Sequence, residues 1–234
     1  MDEITFHTRL HRPGTLLDIG AHDGLLTVPL AALPQSRVLA FEPLPSAMAR
    51  LRAAAAGLPN VVLHAEALGA ASGEATLTLP ILDGVPQEQW ASTTKDYASY
   101  SSVTTRSHRV KVIPLDSLAL PDVTAIKLDA EGAEEAVLDG ARVTLARCRP
   151  ILSVEIEERH APGSTRAVPA LLAQADYEGF FWLDGRMQPI AAFDAATMQQ
   201  ASPDPAVFTA AEPYIFTFFF LPREEAATML SRLR

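Results

Sequence analysis

Apolar runs of strand length alternate with stretches of helical period along most of this chain, and that alternation restricts the available folds more than any other feature. Thr15–Ile19 (TLLDI), Arg37–Phe41 (RVLAF), Asn60–Ala65 (NVVLHA), Ala125–Leu128 (AIKL) and Ile151–Ile156 (ILSVEI) each read as a buried strand. Helical stretches follow the first strand to about Leu33, then cover Ser46–Gly57, Ala133–Arg147 and Arg166–Ala175. Near-continuous apolar strands separated by helices are what a parallel sheet covered on both faces requires. The expected class is therefore α/β, doubly wound and Rossmann-like. Pro29 falls where the first helix should already be established, at a cost of about 3 kcal/mol for an interior position. That helix is expected either to begin near Thr27, leaving Pro29 in its first turn, or to kink.

The tail changes character. Phe180–Leu183 (FFWL), an Asp184-Gly185 turn and Tyr214–Leu221 (YIFTFFFL) suggest two final strands with no helix between them. Phe181 and Trp182 read as core. Pro80–His108 and Ile190–Pro213 look irregular, and loops of that length usually bind ligands or cover a site. Within the first, the stretch Gln89–Lys95, Tyr97 and Tyr100 suits a lid over a polyhydroxylated acceptor. With no repeat, low-complexity tract or linker, residues 1–234 are expected to form one domain.

Composition then excludes several functions. A formal charge of −9 argues against a nucleic-acid binder, which needs a basic stripe to displace counterions. The 48% hydrophobic content includes 39 alanines, yet the remaining apolar residues suffice for a globular core. Cys148 is the single cysteine, so an internal disulfide and a thiolate zinc cluster are both excluded. No apolar stretch approaches the roughly 20 residues that cross a bilayer. The start Met1-Asp2-Glu3-Ile4 carries no secretory pattern, and a cytoplasmic location is expected. Oligomeric state leaves no mark on the sequence.

Chemistry concentrates at the strand ends. Asp18-Ile19-Gly20-Ala21-His22-Asp23-Gly24 closes the first strand, where open α/β sheets bind ligands. Gly20 and Gly24 let the backbone turn sharply and approach a ligand. This D-x-G-x-x-x-G run differs from the G-x-G-x-x-G dinucleotide fingerprint, which argues against an NAD-dependent oxidoreductase. An acid ahead of the turn repels a pyrophosphate but suits a cationic ligand such as the methionyl part of S-adenosylmethionine. Glu42, followed by Pro43, ends the second strand near the spacing at which an acid reaches ribose hydroxyls. Glu66 ends the third, beside Ala67, where it could accept from an adenine amino group. A glycine turn after a strand is a common structural device by itself; three acids at successive strand ends favour a nucleoside site.

The run Lys127-Leu128-Asp129-Ala130-Glu131-Gly132-Ala133-Glu134 gathers one of only three lysines with three acids at the fourth strand's end. Glu134 and Glu135 suit a helix's first turn, where negative charge is favoured. Together with LLDIGAHDGLLTVPLA, AFEPLPSAMARL, NVVLHAEALGAASGEATL, VIPLDSL and the terminal FFFLP, the segment AIKLDAEGAEEAVLDGA resembles the FkbM-type methyltransferases. These are class I S-adenosylmethionine-dependent enzymes that mostly O-methylate natural products and sugars. The resemblance runs from about Leu16 to Leu221. It implies a seven-stranded sheet, mostly parallel with a terminal antiparallel strand. By the same resemblance Asp18, Gly20 and Glu42 contact the methionyl and ribose parts, while Glu66 and Ala67 border the adenine.

Methyl transfer from a sulfonium is an in-line displacement, so the protein mainly aligns an acceptor oxygen and excludes water. A base near a weakly nucleophilic hydroxyl adds about 10²–10⁴-fold. Asp129, Glu131, Glu155, Glu157 and His160 are the candidates, with His22 beside the glycine turn, where packing is its simpler role. Lys127 could hydrogen-bond the acceptor or be a strand-end lysine that snorkels. A divalent metal on Asp129, Glu131 and Glu155 is conceivable, though no spacing compels it. The expected function is O-methylation of a small-molecule hydroxyl. N-methylation, a protein or glycan acceptor, and a non-catalytic cofactor-binding module are the alternatives.

Overall fold

The computed structural model describes residues 1–97, 103–201 and 210–233. Tyr100 lies outside them. The chain opens with α1 (Glu3–Arg9), which the sequence reading did not anticipate because a seven-residue helix shows too little period. Asp2 caps it by accepting from the Thr5 N–H at 2.7 Å, and Phe6 and His7 form its buried face. β1 (Gly14–Ile19) pairs in parallel with β2 (Ser36–Phe41). Between them α2 (Thr27–Ala31) starts at Thr27, so Pro29 sits in the first turn, where a missing N–H costs nothing. α3 (Pro45–Ala54) follows, with Pro45 as its first residue, and β3 (Val61–His64) adds a parallel edge.

The next segment corrects the expected long loop. β4 (Ala67–Leu68), β5 (Gly73–Leu82), β6 (Val85–Pro86) and β7 (Val103–Ile113) form a second sheet in the order β4-β7-β5-β6. Both Pro80–Leu82 and Val103–His108 therefore belong to an antiparallel ladder running from Gly73↔Val112 to Leu82↔Val103. Its polar composition hid it: Leu77, Leu79 and Val110 pack on Leu44 and Ala47, while Thr104, Thr105, Arg106 and Ser107 face water. What remains irregular is the excursion from β6 to Tyr97, pinned by two backbone hydrogen bonds between Thr78 and Ser92, at 2.8 and 3.1 Å.

β8 (Val123–Leu128) returns to the main sheet beside β1. The helix expected over 133–147 is two helices, α4 (Glu134–Asp139) and α5 (Arg142–Cys148). The break falls at Gly140, where a Cβ would lie 2.1 Å from the Gly69 carbonyl oxygen. Asp116 caps the second piece, its carboxylate accepting from the Val143 and Thr144 N–H groups at 2.8 Å each. β9 (Ile151–Glu155), α6 (Ser164–Gln174), β10 (Tyr177–Leu183), β11 (Arg186–Pro189), α7 (Ala195–Met198), β12 (Thr217–Pro222) and α8 (Ala226–Leu233) complete the chain. The main sheet runs β11-β10-β12-β9-β8-β1-β2-β3, eight strands where seven were expected. Asp184-Gly185 turns β10 back into the extra strand β11 instead of leading to the last one. That last strand, β12, is antiparallel to both neighbours and begins at Thr217, three residues after the expected Tyr214. Phe181, Phe218, Phe219 and Phe220 are all about 1% exposed, whereas Trp182 is only partly buried. Among the described residues no helix is long and apolar enough to cross a membrane.

A polar seam crosses the apolar sheet. Register places Asp18 of β1 beside Lys127 of β8, and Lys127 beside Ser153 of β9. From α1, His7 Nε2 lies 3.0 Å from the Ser153 hydroxyl, which donates to Glu3 at 2.5 Å. His7 must therefore donate, as its neutral Nε2–H tautomer. Burial pulls its pKa down to about 3. The unfolded chain protonates this histidine below about pH 6.5, so His7 contributes stability above that pH and loses it as pH falls. Denaturant titrations should show wild type losing about 1.4 kcal/mol per pH unit relative to His7→Gln between about pH 6 and 4, and little above about pH 6.5; parallel pH profiles would overturn this.

Candidate active site

Four strand ends, those of β1, β2, β3 and β8, and the excursion line one cleft that is open to solvent. Gly20, Glu42, Pro43, Glu66, Ala67, Asp129 and Glu131 all line it. The opposite wall comes from Glu88, Gln89, Ala91 and Thr93.

Gly20 forms the floor with φ +75°, and a Cβ there would stand 1.9 Å from the Asp129 carbonyl oxygen. Only glycine allows β1 and β8 to approach this closely beneath a ligand. Ala21 is buried and Gly24 packs on Leu51; neither lines the cleft. Glu42, 6% exposed, accepts from the Leu44 and His22 N–H groups, each at 2.8 Å, one on each oxygen. Burial raises its pKa against the pull of those two donors. Each oxygen keeps a second lone pair for a hydroxyl. Glu66 stands at the far end, 3.7 Å from His64 Nδ1 and 3.6 Å from Lys111 Nζ.

Two expected contact residues work from below. Asp18 is fully buried; one oxygen accepts from the Thr27 hydroxyl at 2.5 Å and the other faces Lys127 Nζ at 3.8 Å. It braces the turn instead of touching a ligand. Lys127, 8% exposed at its side chain, donates to the Gly20 carbonyl at 2.8 Å and lies 3.6 Å from Asp129. Burial pulls its ammonium down, but Asp129, Asp18, Glu3 and Glu155 together push it well above the ordinary lysine value. It is a buried cation tying β8 to the glycine turn, not a group reaching toward an acceptor. The reason is register: pairing with Asp18 turns the side chain into the seam under α1.

His160 also departs from expectation. The turn after β9 folds it inward between Glu131, 3.4 Å from Nδ1, and Glu157, 3.3 Å from Nε2, and it does not line the cleft. Burial, Lys95 and Arg159 pull its pKa far down, so it is neutral near pH 7. Glu157 is occupied by Arg159, at 2.6 and 3.0 Å, and by the Tyr214 hydroxyl at 2.5 Å. Glu155 lies outside the cleft lining, its pKa raised by burial and by Asp129. Among the described residues no group of three or more His, Cys, Asp or Glu side chains is arranged to hold a metal ion. His22 lines the cleft with φ +50°, and its Nε2 lies 3.3 Å from Arg50.

Glu131 is the acid most enclosed by the excursion. It takes φ +52°, pairs with Lys95, and burial raises its pKa despite that cation. Sequence reasoning missed Thr27 as the partner of Asp18, the Arg50–Glu88 pair at the cleft edge, and the role of Lys95. For Lys95 a signal existed, since it is one of three lysines in the chain, as Lys127 is.

A mostly parallel sheet with its cleft at the carboxyl ends is similar to that of solved class I methyltransferase structures, here with eight strands in place of seven. The sequence profile of the methyltransferase FkbM domain matches residues 18–178, and the chain belongs to that family. The methyltransferase FkbM from Methylobacillus flagellatus KT superposes with a TM-score of 0.54 and 16% identity, over 89% of this chain and 43% of that one. A Streptococcus mutans protein assigned as a methyltransferase, solved with SAH, gives a TM-score of 0.50 and 12% identity over 93% and 94% of the two chains. Identities this low establish the fold alone, and this chain spans less than half of the Methylobacillus protein. No curated protein matches the sequence.

Lys127→Met would leave Asp18 and Asp129 without their shared cation. Removing one member of a buried ionic group costs about 3–5 kcal/mol, so chemical denaturation should show a loss of that size. A change below about 1 kcal/mol, as for an exposed pair, would refute the bracing role.

Proposed function

We propose that this FkbM-family chain transfers a methyl group from S-adenosylmethionine to a hydroxyl of a small molecule. The observation that carries the reading is the convergence of Gly20, Glu42 and Glu66, from three successive strand ends, on one cleft. Gly20 lets the turn after β1 close against the Asp129 backbone, where any Cβ would collide with its carbonyl oxygen. Glu42 has two fixed oxygens with lone pairs to spare for ribose hydroxyls. Glu66 and Ala67 border the end where an adenine would lie, and Pro43 forms the wall between. S-adenosylmethionine, when bound, supplies an electrophilic methyl on a sulfonium.

The protein's work is then to orient the acceptor and take its proton. Asp129 and Glu131 stand at the end of the cleft beyond Gly20, and Glu131 is the group we assign as base. A raised carboxyl pKa suits that task, since a base works best when its pKa lies near the working pH. Only the ionised form accepts a proton, so turnover should rise with pH through a limb above the usual carboxylate value of about 4.3. The acids that line the cleft, Glu66, Glu88, Asp129 and Glu131 among them, support a second reading, an amine acceptor, which paired hydroxyl and amine substrates would separate.

Calorimetry with S-adenosylhomocysteine tests the first half. Saturable binding is expected, weakened about 10- to 100-fold in Glu42→Ala, as loss of hydrogen bonds to a charged group implies; a folded protein that binds nothing would end the reading. Glu131→Gln should lower the methyl-transfer kcat by about 10²–10⁴-fold and abolish the acidic limb.

A further inference from the structure

The excursion between β6 and β7 is fastened to Glu131 at three levels. At the backbone, the Ser92 hydroxyl accepts from the Thr94 and Lys95 N–H groups, at 3.1 and 3.2 Å, and donates to the Glu131 carbonyl at 2.6 Å. Ser92 is 1% exposed and its own backbone is bonded to Thr78 of β5, so this mount is rigid. At the neighbouring residue, Gly132 has φ +102°, and a Cβ there would lie 2.7 Å from Thr94 Oγ1. The excursion thus packs closer than any other residue would allow. At the side chain, Lys95 Nζ pairs with Glu131 Oε2, the two side chains being 10% and 17% exposed. Earlier in the excursion, Glu88 pairs with Arg50 on α3 at the opposite edge of the cleft.

We propose that Lys95 is a positioning residue for Glu131: the excursion carries an ammonium that aims the carboxylate into the cleft and favours its ionised form there. This rests on the reading of Glu131 as the base. The need for such a cation follows from the surroundings. Asp129 from the end of β8, Glu155 from the end of β9 and Glu157 from the following turn are all acids near Glu131. His160 faces it as a neutral ring, and Arg159 is engaged by Glu157. Burial and these acids favour a protonated, inert Glu131; Lys95 is the cation paired directly with it and opposes that. Burial also pulls the Lys95 ammonium down, against Glu131.

The test follows the Glu131 carboxyl carbon by NMR in full-length protein carrying 13C-labelled glutamate, with E131Q identifying the signal. An opposite charge at contact shifts a carboxyl by about 1–3 pH units. The Glu131 midpoint should therefore rise by at least about one unit in K95M and stay near the wild-type value in K95R. A purely packing role for Lys95 would not move it. K95Q serves as the second neutral variant if K95M does not fold. In methyl transfer, kcat near neutral pH should fall about tenfold or more in K95M, with the cofactor KM unchanged and K95R restoring the rate. An unmoved Glu131 midpoint in both neutral variants overturns the proposal. A midpoint that moves while E131Q turns over at the wild-type rate supports the Lys95–Glu131 coupling and retires Glu131 as base.

Discussion

The buried ammonium of Lys127 is the constraint around which this site is organised. It lies between the carboxylates of Asp18 and Asp129 and donates to the carbonyl of Gly20. One charge thereby fixes the end of β1, the end of β8 and the turn that forms the cleft floor. An isolated buried lysine would shed its proton; acids on several sides prevent that here. Asp18 has a second hold on Thr27, and Ser153, beside Lys127 in register, is held by Glu3 and His7 from α1. The seam that stabilises the sheet is thus also the foundation of the ligand cradle.

The second sheet gives the cleft its other wall. It packs on α3 through a small apolar cluster and sends out the excursion that carries Glu88, Gln89, Ala91 and Lys95. Ion pairs at both edges of the cleft join this element to the rest of the domain: Arg50–Glu88 to α3, and Lys95–Glu131 to the turn after β8. The main sheet supplies the strand-end acids, and the excursion supplies the cation paired with one of them.

Residues whose local sequence already encodes their conformation were legible. The parallel strands start and stop within about two residues of their apolar runs, because a strand buried on both faces must be apolar throughout. Of the two readings open for Pro29, the structure has the first-turn one, which the fixed φ and missing N–H of proline allow. The second sheet was not legible, since a ladder solvated on one face reads as polar loop. Nor was the break at Gly140, which depends on the Gly69 carbonyl 71 positions earlier in the chain. At the site, Glu42, Glu66, Asp129 and Glu131 were recognisable as strand-end acids. The inward facing of Asp18, Lys127 and His160 was not.

By itself the sequence determined which groups could gather at the carboxyl edge: glycines able to turn, acids after strands, a lysine inside an apolar run. Periodicity and residue chemistry are local properties, and they suffice for that. Only the tertiary structure decided which acids face the cleft and which brace it, because pairing register sets the side of the sheet on which a side chain falls. It also decided that Lys95 meets Glu131 across 36 residues of sequence, a contact made by the excursion folding back on the turn after β8. No local pattern encodes the charge of a buried group, which depends on the neighbours that folding brings to it.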